Sequence, residues 1–374
     1  MNKLKYFLAI IGCMLFLTGI SVSADEKVDI VGKSAIVVDE ETGNVLYEKD
    51  AQSKEFPASI TKIMTALVVL DHKQLTDTVE FSAEGLYSIE SGSSAAYIEP
   101  GEKMTVEQSL YVMMLHSAND VAHGLAYDVG GNLEGFAKLM NEKAESLGCT
   151  NTHFVNASGL HDDNHYTTAS DMAKIAKAAY QNEELRKIMG TVRYELPATN
   201  KKKEARVWIN GNRMIQEGSQ YYYESCLGGK TGYTITAGGT LVTFAKIKGR
   251  VLECVVLKST NSASAYEDST KLYEYVKEHT DFSTFEEKAT QGTTSVTKAS
   301  TQNQENEEII YKKQERTLFQ KVFFVVKICC ILLLVLCIGV ILRIIYVQRE
   351  NAKRRRRRMQ KRKQRETENR KKKK

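Results

Sequence analysis

The chain has 374 residues, 42% apolar and 26% charged, a globular composition long enough for one large domain or two smaller ones. Its formal net charge of +6 comes from the ends: residues 349–374 carry 16 Lys and Arg against 3 Asp and Glu, residues 1–24 add +2 and residues 319–348 add +3, leaving residues 25–318 at −12. That acidic bulk argues against a nucleic-acid partner, and the three cysteines outside the apolar ends (Cys149, Cys226, Cys254) are too few for a disulfide framework, so the fold must rest on its core, with buried thiols expected.

Residues 1–24 read as a cleavable secretory signal: Lys3 and Lys5 lead an apolar stretch from Tyr6 to Ile20, and Val22-Ser23-Ala24 precedes Asp25-Glu26. A lipid-modified Cys13 is the rival reading. Ser34 to Val38 and Val45 to Glu48 flank Glu41-Thr42-Gly43-Asn44, a hairpin signal. Pro57 opens a helix in which Ile60, Ile63, Met64 and Leu67 form one buried stripe. Thr105 and Gln108 form a capping box ahead of a helix with Val106, Leu110, Met113 and Met114 on one face. Helical patterns follow at 119–129, 133–147, 169–180 and 266–279. Thr240 to Ile247 and Val251 to Leu257, joined at Lys248-Gly249-Arg250, read as an antiparallel strand pair. Strands at both ends of this block with helices between predict a mixed α/β domain, over 25–280, whose terminal segments share one antiparallel sheet.

Residues 281–318 are too polar to bury a core and read as a disordered tether, with a coil reach of roughly 35 Å. Val322 to Val347 is apolar apart from Lys327 and Arg343; as a helix it would cover roughly 39 Å against a hydrocarbon layer of roughly 30 Å, so 319–348 is expected to be a transmembrane helix. The basic run 349–374 then belongs in the cytoplasm, against anionic lipid, with the 25–280 domain outside.

Three short motifs carry candidate chemistry. In Ser59-Ile60-Thr61-Lys62 the three-residue helical spacing puts Ser59 and Lys62 within reach of each other. A serine hydroxyl attacks only when a base takes its proton, and a lysine serves if burial and a neighbouring cation keep it neutral part of the time. The plain alternative is an exposed helical turn. In Ser117-Ala118-Asn119 the hydroxyl could relay a proton and the amide could orient substrate and lysine, or both residues could simply cap a helix. In Lys230-Thr231-Gly232, Lys230 could hold a substrate carboxylate and depress the pKa of Lys62, Thr231 could donate to the same carboxylate, and Gly232 could let substrate approach the backbone; a bare turn is the alternative.

The conjunction of Ser-x-x-Lys, Ser-x-Asn and Lys-Thr-Gly in this order is a known catalytic set. With Pro57-Ala58-Ser59-Ile60-Thr61-Lys62-Ile63-Met64-Thr65, Pro100-Gly101-Glu102-Lys103, Ser117-Ala118-Asn119-Asp120, Asn156 to His161, Tyr166 to Met172 and Gly229 to Thr234, the stretch from Ser34 to His279 resembles the low-molecular-mass penicillin-binding proteins, the serine D-alanyl-D-alanine carboxypeptidases. The resemblance implies a penicillin-binding, transpeptidase-like domain: an antiparallel sheet with helices on its faces and an inserted helical region. It implies Ser59 as acylated nucleophile, Lys62 as general base, Ser117 and Asn119 as the second element, Lys230 and Thr231 as carboxylate binders, and the N–H groups of Ser59 and Tyr233 as oxyanion hole. It implies no cofactor or metal, peptidoglycan stem peptides ending in D-Ala-D-Ala as substrate, and β-lactams as covalent inhibitors. D,D-endopeptidase activity on cross-links would use the same residues.

Two departures stand out: Ala118 replaces a common Gly, and an Arg found in many relatives shortly before the last helix is missing at Ala265-Tyr266-Glu267-Asp268. The β-rich second domain of many relatives has no room in 281–318. A β-lactamase would need a deacylating Glu, and Asn182-Glu183-Glu184-Leu185-Arg186 lacks the required register. No Gly-x-Ser-x-Gly supports a Ser-His-Asp hydrolase. His161-Asp162-Asp163-Asn164-His165 holds zinc-ligand types, though its setting reads as a loop. A non-catalytic wall-binding protein would not keep all three motifs.

Overall fold

The computed structural model describes residues 28–90 and 92–282. The expected signal at 1–24, the span at 319–348, the basic tail at 349–374 and the tether beyond 282 lie outside the described residues. Chain contacts divide the protein into two units, Met1–Glu287 and Lys288–Lys374, and only the first contains described residues.

Five strands form one antiparallel sheet in the order β2 (Val45–Lys49), β1 (Ser34–Asp39), β9 (Arg250–Ser259), β8 (Gly238–Ile247) and β7 (Cys226–Thr234). The N-terminal hairpin therefore pairs with the last strand of the block, as its terminal hydrophobic runs predict. Alternation along β9 divides the core: Leu252, Cys254 and Val256 face one cluster, Val255 and Leu257 the other. The first cluster is closed by α8 (Ser262–His279) through Leu272, Tyr273 and Val276. Tyr273 is wholly buried, and its hydroxyl donates to the Thr243 carbonyl at 2.9 Å, as a buried phenol must to avoid an unmet polar group. Asp268 of α8 accepts from the N–H groups of Val31 (2.9 Å) and Gly32 (2.7 Å) and from Ser259 Oγ (2.6 Å), fastening the N-terminal segment to the helix.

The opposite face carries the helical region: α1 (Thr61–His72), α2 (Ala83–Tyr87), α3 (Val106–His116), α4 (Asn119–Gly130), α5 (Leu133–Ser146), α6 (Ala169–Gln181) and α7 (Glu183–Gly190). Two short antiparallel strand pairs, β3 (Thr78–Glu80) with β4 (Lys103–Thr105) and β5 (Arg193–Leu196) with β6 (Arg206–Ile209), brace it. The capping box expected at Thr105 and Gln108 is present and opens α3.

Several expectations are corrected. The one-stripe reading of α1 fails, because Thr61 to Val69 are all buried: a helix this apolar sits at the centre of the helical region rather than on its surface. The last helix starts four residues before 266, at Ser262 behind an Asn261 cap, so Ala265 to Asp268 lie inside it; the nearest preceding cation is Lys258, whose ammonium binds the Thr236 carbonyl. Packing runs past the 280 boundary, since Phe282 is buried in the α8 cluster. Other expectations are not corrected: the three described cysteines are free thiols as expected, Cys149 and Cys254 buried and Cys226 half-buried, and although no helix among the described residues is long and apolar enough to cross a membrane, the expected span lies outside them.

Candidate active site

Ser59 lies in a 3-10 turn, Ala58–Ile60, immediately before α1, instead of within the α-helix itself. The turn is held from two sides. Thr240 of β8 donates its hydroxyl to the Pro57 carbonyl at 2.8 Å, and Gly159 packs so closely that a Cβ there would fall 1.8 Å from the Ala58 carbonyl oxygen. Ala58 itself adopts φ +51°, a conformation that costs a non-glycine residue and persists only under tertiary constraint.

Lys62 is wholly buried, one turn along from Ser59. Its Nζ lies 3.1 Å from Ser59 Oγ, 2.7 Å from Asn119 Oδ1 and 2.6 Å from the Ser158 carbonyl oxygen. Burial, and then the positive charge of Lys230, hold its pKa well below the usual lysine value, while Asp120 pulls weakly the other way. A neutral amine has two N–H groups and one lone pair. The Asn119 and Ser158 oxygens can only accept, so they take the two N–H groups and the lone pair is left for the Ser59 hydroxyl proton.

The second element supplies no side-chain N-cap to a helix. Ser117 follows α3 in the left-handed region (φ +60°), Ala118 stands at the N-cap of α4 without a side-chain bond, and the Asn119 amide points to Lys62 instead. The third element lies on β7, at the open edge of the sheet beside the 3-10 turn. Lys230 is 2% exposed; it donates to Ser117 Oγ (3.1 Å) and to the Thr231 carbonyl (2.8 Å), and burial lowers its pKa to about 7. A Cβ on Gly232 would lie 2.8 Å from the Ser59 nitrogen and 2.4 Å from Thr240 Oγ1, so only glycine allows this approach of strand and turn. Thr231 is half-buried and Tyr233 is 52% exposed at the mouth.

The structure thus brings Ser59, Lys62, Ser117, Asn119, Lys230 and Gly232 together from parts of the chain far apart in sequence. It adds groups that the motifs did not assign. The Ser158 carbonyl is one, and its side chain meets His123 Nε2 at 3.1 Å. His165 is another: its Nδ1 accepts from the Val155 N–H (3.1 Å), so Nε2 carries the proton and donates to Thr61 Oγ1 (2.8 Å). Burial lowers His165 to a pKa of about 3 and His123 to about 4. His161 turns instead to the ring of Phe56, with centroids 4.7 Å apart, so the two histidines of the weighed zinc set take different partners. Asn182 of the β-lactamase-like stretch caps α7. Gly159 was the legible signal for the 156–160 loop, since a glycine in a turn packed on a nucleophile marks close backbone approach.

Against known proteins, residues 20–261 match the profile of the family described as D-alanyl-D-alanine carboxypeptidase. The chain is 37% identical over 231 residues to D-alanyl-D-alanine carboxypeptidase DacF of Bacillus subtilis, a match covering 60% of this chain and spanning 56% of that relative's length. It is 31% identical over 265 residues to a D-alanyl-D-alanine carboxypeptidase of Streptomyces sp. K15, covering 68% of this chain and 89% of the relative. The crystal structure of the Streptomyces K15 DD-transpeptidase superposes with a TM-score of 0.62 at 32% identity, covering 66% of this chain and 97% of that one.

Proposed function

As the chain belongs to the D-alanyl-D-alanine carboxypeptidase family of serine peptidases, we propose that it removes the terminal D-alanine from peptidoglycan stem peptides through an acyl-enzyme on Ser59. The observation that carries the reading is the buried Lys62 amine, with two of its three contacts on pure acceptors and the third on Ser59 Oγ. Neutral Lys62 takes the Ser59 proton as Oγ attacks the carbonyl between the two D-alanines. The oxyanion is met by the backbone N–H groups of Ser59 and Tyr233. Ser117, bonded to Lys230, gives its proton to the leaving amine and takes the one held by Lys62, so D-alanine departs and Lys62 is neutral again; Lys62 then takes a proton from the attacking water and returns it to Ser59 as the ester is hydrolysed. The terminal carboxylate is held by Lys230 and the Thr231 hydroxyl. Lys230 titrates near 7 in the empty site, and a bound carboxylate raises that value and favours the ammonium.

β-Lactams place a strained amide in the same position and acylate the same serine. The domain is exported behind residues 1–24 and tethered through residues 283–318 to a single membrane helix at 319–348, with the basic tail in the cytoplasm; the apolar run Val322 to Val347 and the 16 basic residues after it support this topology. The decisive experiment is mass spectrometry of the protein after penicillin treatment, with peptide mapping. A single adduct on Ser59, absent from Ser59→Ala, is expected; an adduct elsewhere, or none, sinks the assignment.

A further inference from the structure

Beside the catalytic groups lies a cleft of about 510 Å³ that the mechanism does not use, lined by Tyr97, Lys201, Lys202, Lys203, Glu204 and Arg206. Tyr97 projects into it with 81% of its surface exposed, from a backbone at φ +56°. A bulky side chain in the left-handed region, put into solvent, has no packing reason to be there, whereas glycine would relieve the strain. The backbone on either side of Tyr97 is fixed: the N–H groups of Ala96 (2.9 Å) and Ile98 (3.2 Å) both donate to the buried Asp120 carboxylate, and Asp120 directly follows Asn119. The same segment accepts the Asn119 N–H on the Ser94 carbonyl at 2.8 Å.

The opposite wall is equally pinned. Asn200 accepts from the Lys103 N–H and donates to the Gly101 carbonyl, both at 2.8 Å. Thr199 Oγ1 donates to Glu102 at 2.8 Å, and Arg206 pairs with the same fully buried carboxylate. Of the four cations in the cleft, Arg206 is taken by Glu102 and Lys202 by Glu99, while exposed Lys201 and Lys203 have no ion pair among the described residues, against the one carboxylate of Glu204. This is a local excess of positive charge on an acidic domain.

We propose that this cleft is a second subsite that binds the glycan–peptide strand carrying the scissile stem, with a sugar ring on the face of Tyr97 and strand carboxylates on Lys201 and Lys203. The inference rests on the peptidoglycan reading of the Ser59 site and extends it from the stem terminus to the polymer. An amphipathic phenol presents an apolar face to sugar C–H groups and a hydroxyl to their oxygens, and the two exposed lysines beside it supply positive charge for carboxylates. Anchoring through Asp120 ties the position of the ring to Asn119, so a strand seated on Tyr97 is in register with the catalytic groups.

The test uses the full-length protein in detergent and two variants, Tyr97→Asn, which suits the left-handed backbone but removes the ring, and Lys201→Ala/Lys203→Ala. Each is assayed on a short soluble peptide ending in D-Ala-D-Ala and on uncross-linked peptidoglycan strands, with the penicillin acylation rate measured alongside. The expected result is a loss of at least fivefold in kcat/KM on strands, mostly in KM, with under twofold change on the short peptide and in acylation; for the lysine variant the deficit shrinks as salt rises. Equal effects on both substrates, or none on strands, overturns the subsite while leaving the Ser59 reading intact. Tighter binding of a phosphodiester wall polymer than of strands at this cleft also overturns it. Failure of the unmodified protein to acylate at Ser59 takes down both readings together.

Discussion

At the scale of single residues the site turns on which lysine gives up a proton. Arginine keeps its charge and cannot act as a base. Lys62→Arg is therefore expected to lose acylation by peptide and penicillin alike by a factor on the order of 10³, in the range of a removed general base, with the loss in the chemical step. Lys230→Arg keeps a cation facing the substrate carboxylate and is expected to lose roughly tenfold to a hundredfold, the value of about 1.5–3 kcal/mol for a misfitted charged hydrogen bond. Stopped-flow acylation across pH distinguishes the two, and substantial turnover by Lys62→Arg would refute the roles. The unmodified enzyme should show a bell-shaped kcat/KM profile. Activity rises with pH as Lys62 deprotonates, and it falls at higher pH as Lys230, at about 7 in the empty site, loses the charge that receives the carboxylate. Gly159→Ala drives a Cβ into the Ala58 carbonyl and must displace the 3-10 turn, so a drop of about a hundredfold in acylation is expected, as for a nucleophile moved by about 1 Å.

At the scale of elements, the pairing of β1 with β9 hides a cost. Glu253 of β9 is wholly buried against Glu40, just past β1, and the two carboxyls hydrogen-bond to each other when Glu253 is protonated, with no other donor reaching their oxygens among the described residues. Burial, and then the neighbouring Glu40, push Glu253 well above the usual carboxylate range, while Lys177 of α6 offsets this in part. The folded state thus holds protons that the unfolded chain has released, so this pair stabilises the fold at low pH and its contribution declines as pH rises above the ordinary glutamate value through the folded one. Glu253→Gln is expected to raise the melting temperature at pH 8 by roughly 2–4 °C, about 1 kcal/mol for a domain of this size, and by less at pH 5. A uniform shift at both pH values would show that packing rather than charge is responsible. The buried histidines act in the opposite sense. His165 near 3 and His123 near 4 are neutral in the fold but charge in the unfolded chain below about 6.5, so stability is lost progressively as pH falls from there toward 3.

At the scale of the whole molecule, the catalytic unit carries its own core up to Phe282, and the proposed tether begins beyond it. Protease added outside intact cells should cut between 283 and 318 and release a soluble fragment that still binds penicillin; activity remaining with the membrane after that cut would rule the tether out. The sequence by itself determined the sheet of terminal segments, because apolar strand runs at both ends of a block with helices between can satisfy their backbone and bury their faces by pairing with each other. It determined the capping box of α3 and the three motifs, since those signals are local: a cap, a helical turn, a glycine in a strand. Only the tertiary structure decided which partners the side chains of each motif meet. Ser117 and Asn119 are as good at capping as at catalysis, and it is the arrival of Lys62 from another helix that takes the Asn119 amide. The buried stripe of α1 became burial on every side because α4, α5 and α6 surround it, which no period in its own residues records. The Ser158 carbonyl, the His165 bond to Thr61 and the Tyr97 cleft were invisible in the chain for the same reason. A backbone oxygen, a tautomer and a strained φ acquire their meaning from neighbours about a hundred residues away or bonded across a turn, and side-chain identity does not encode those contacts.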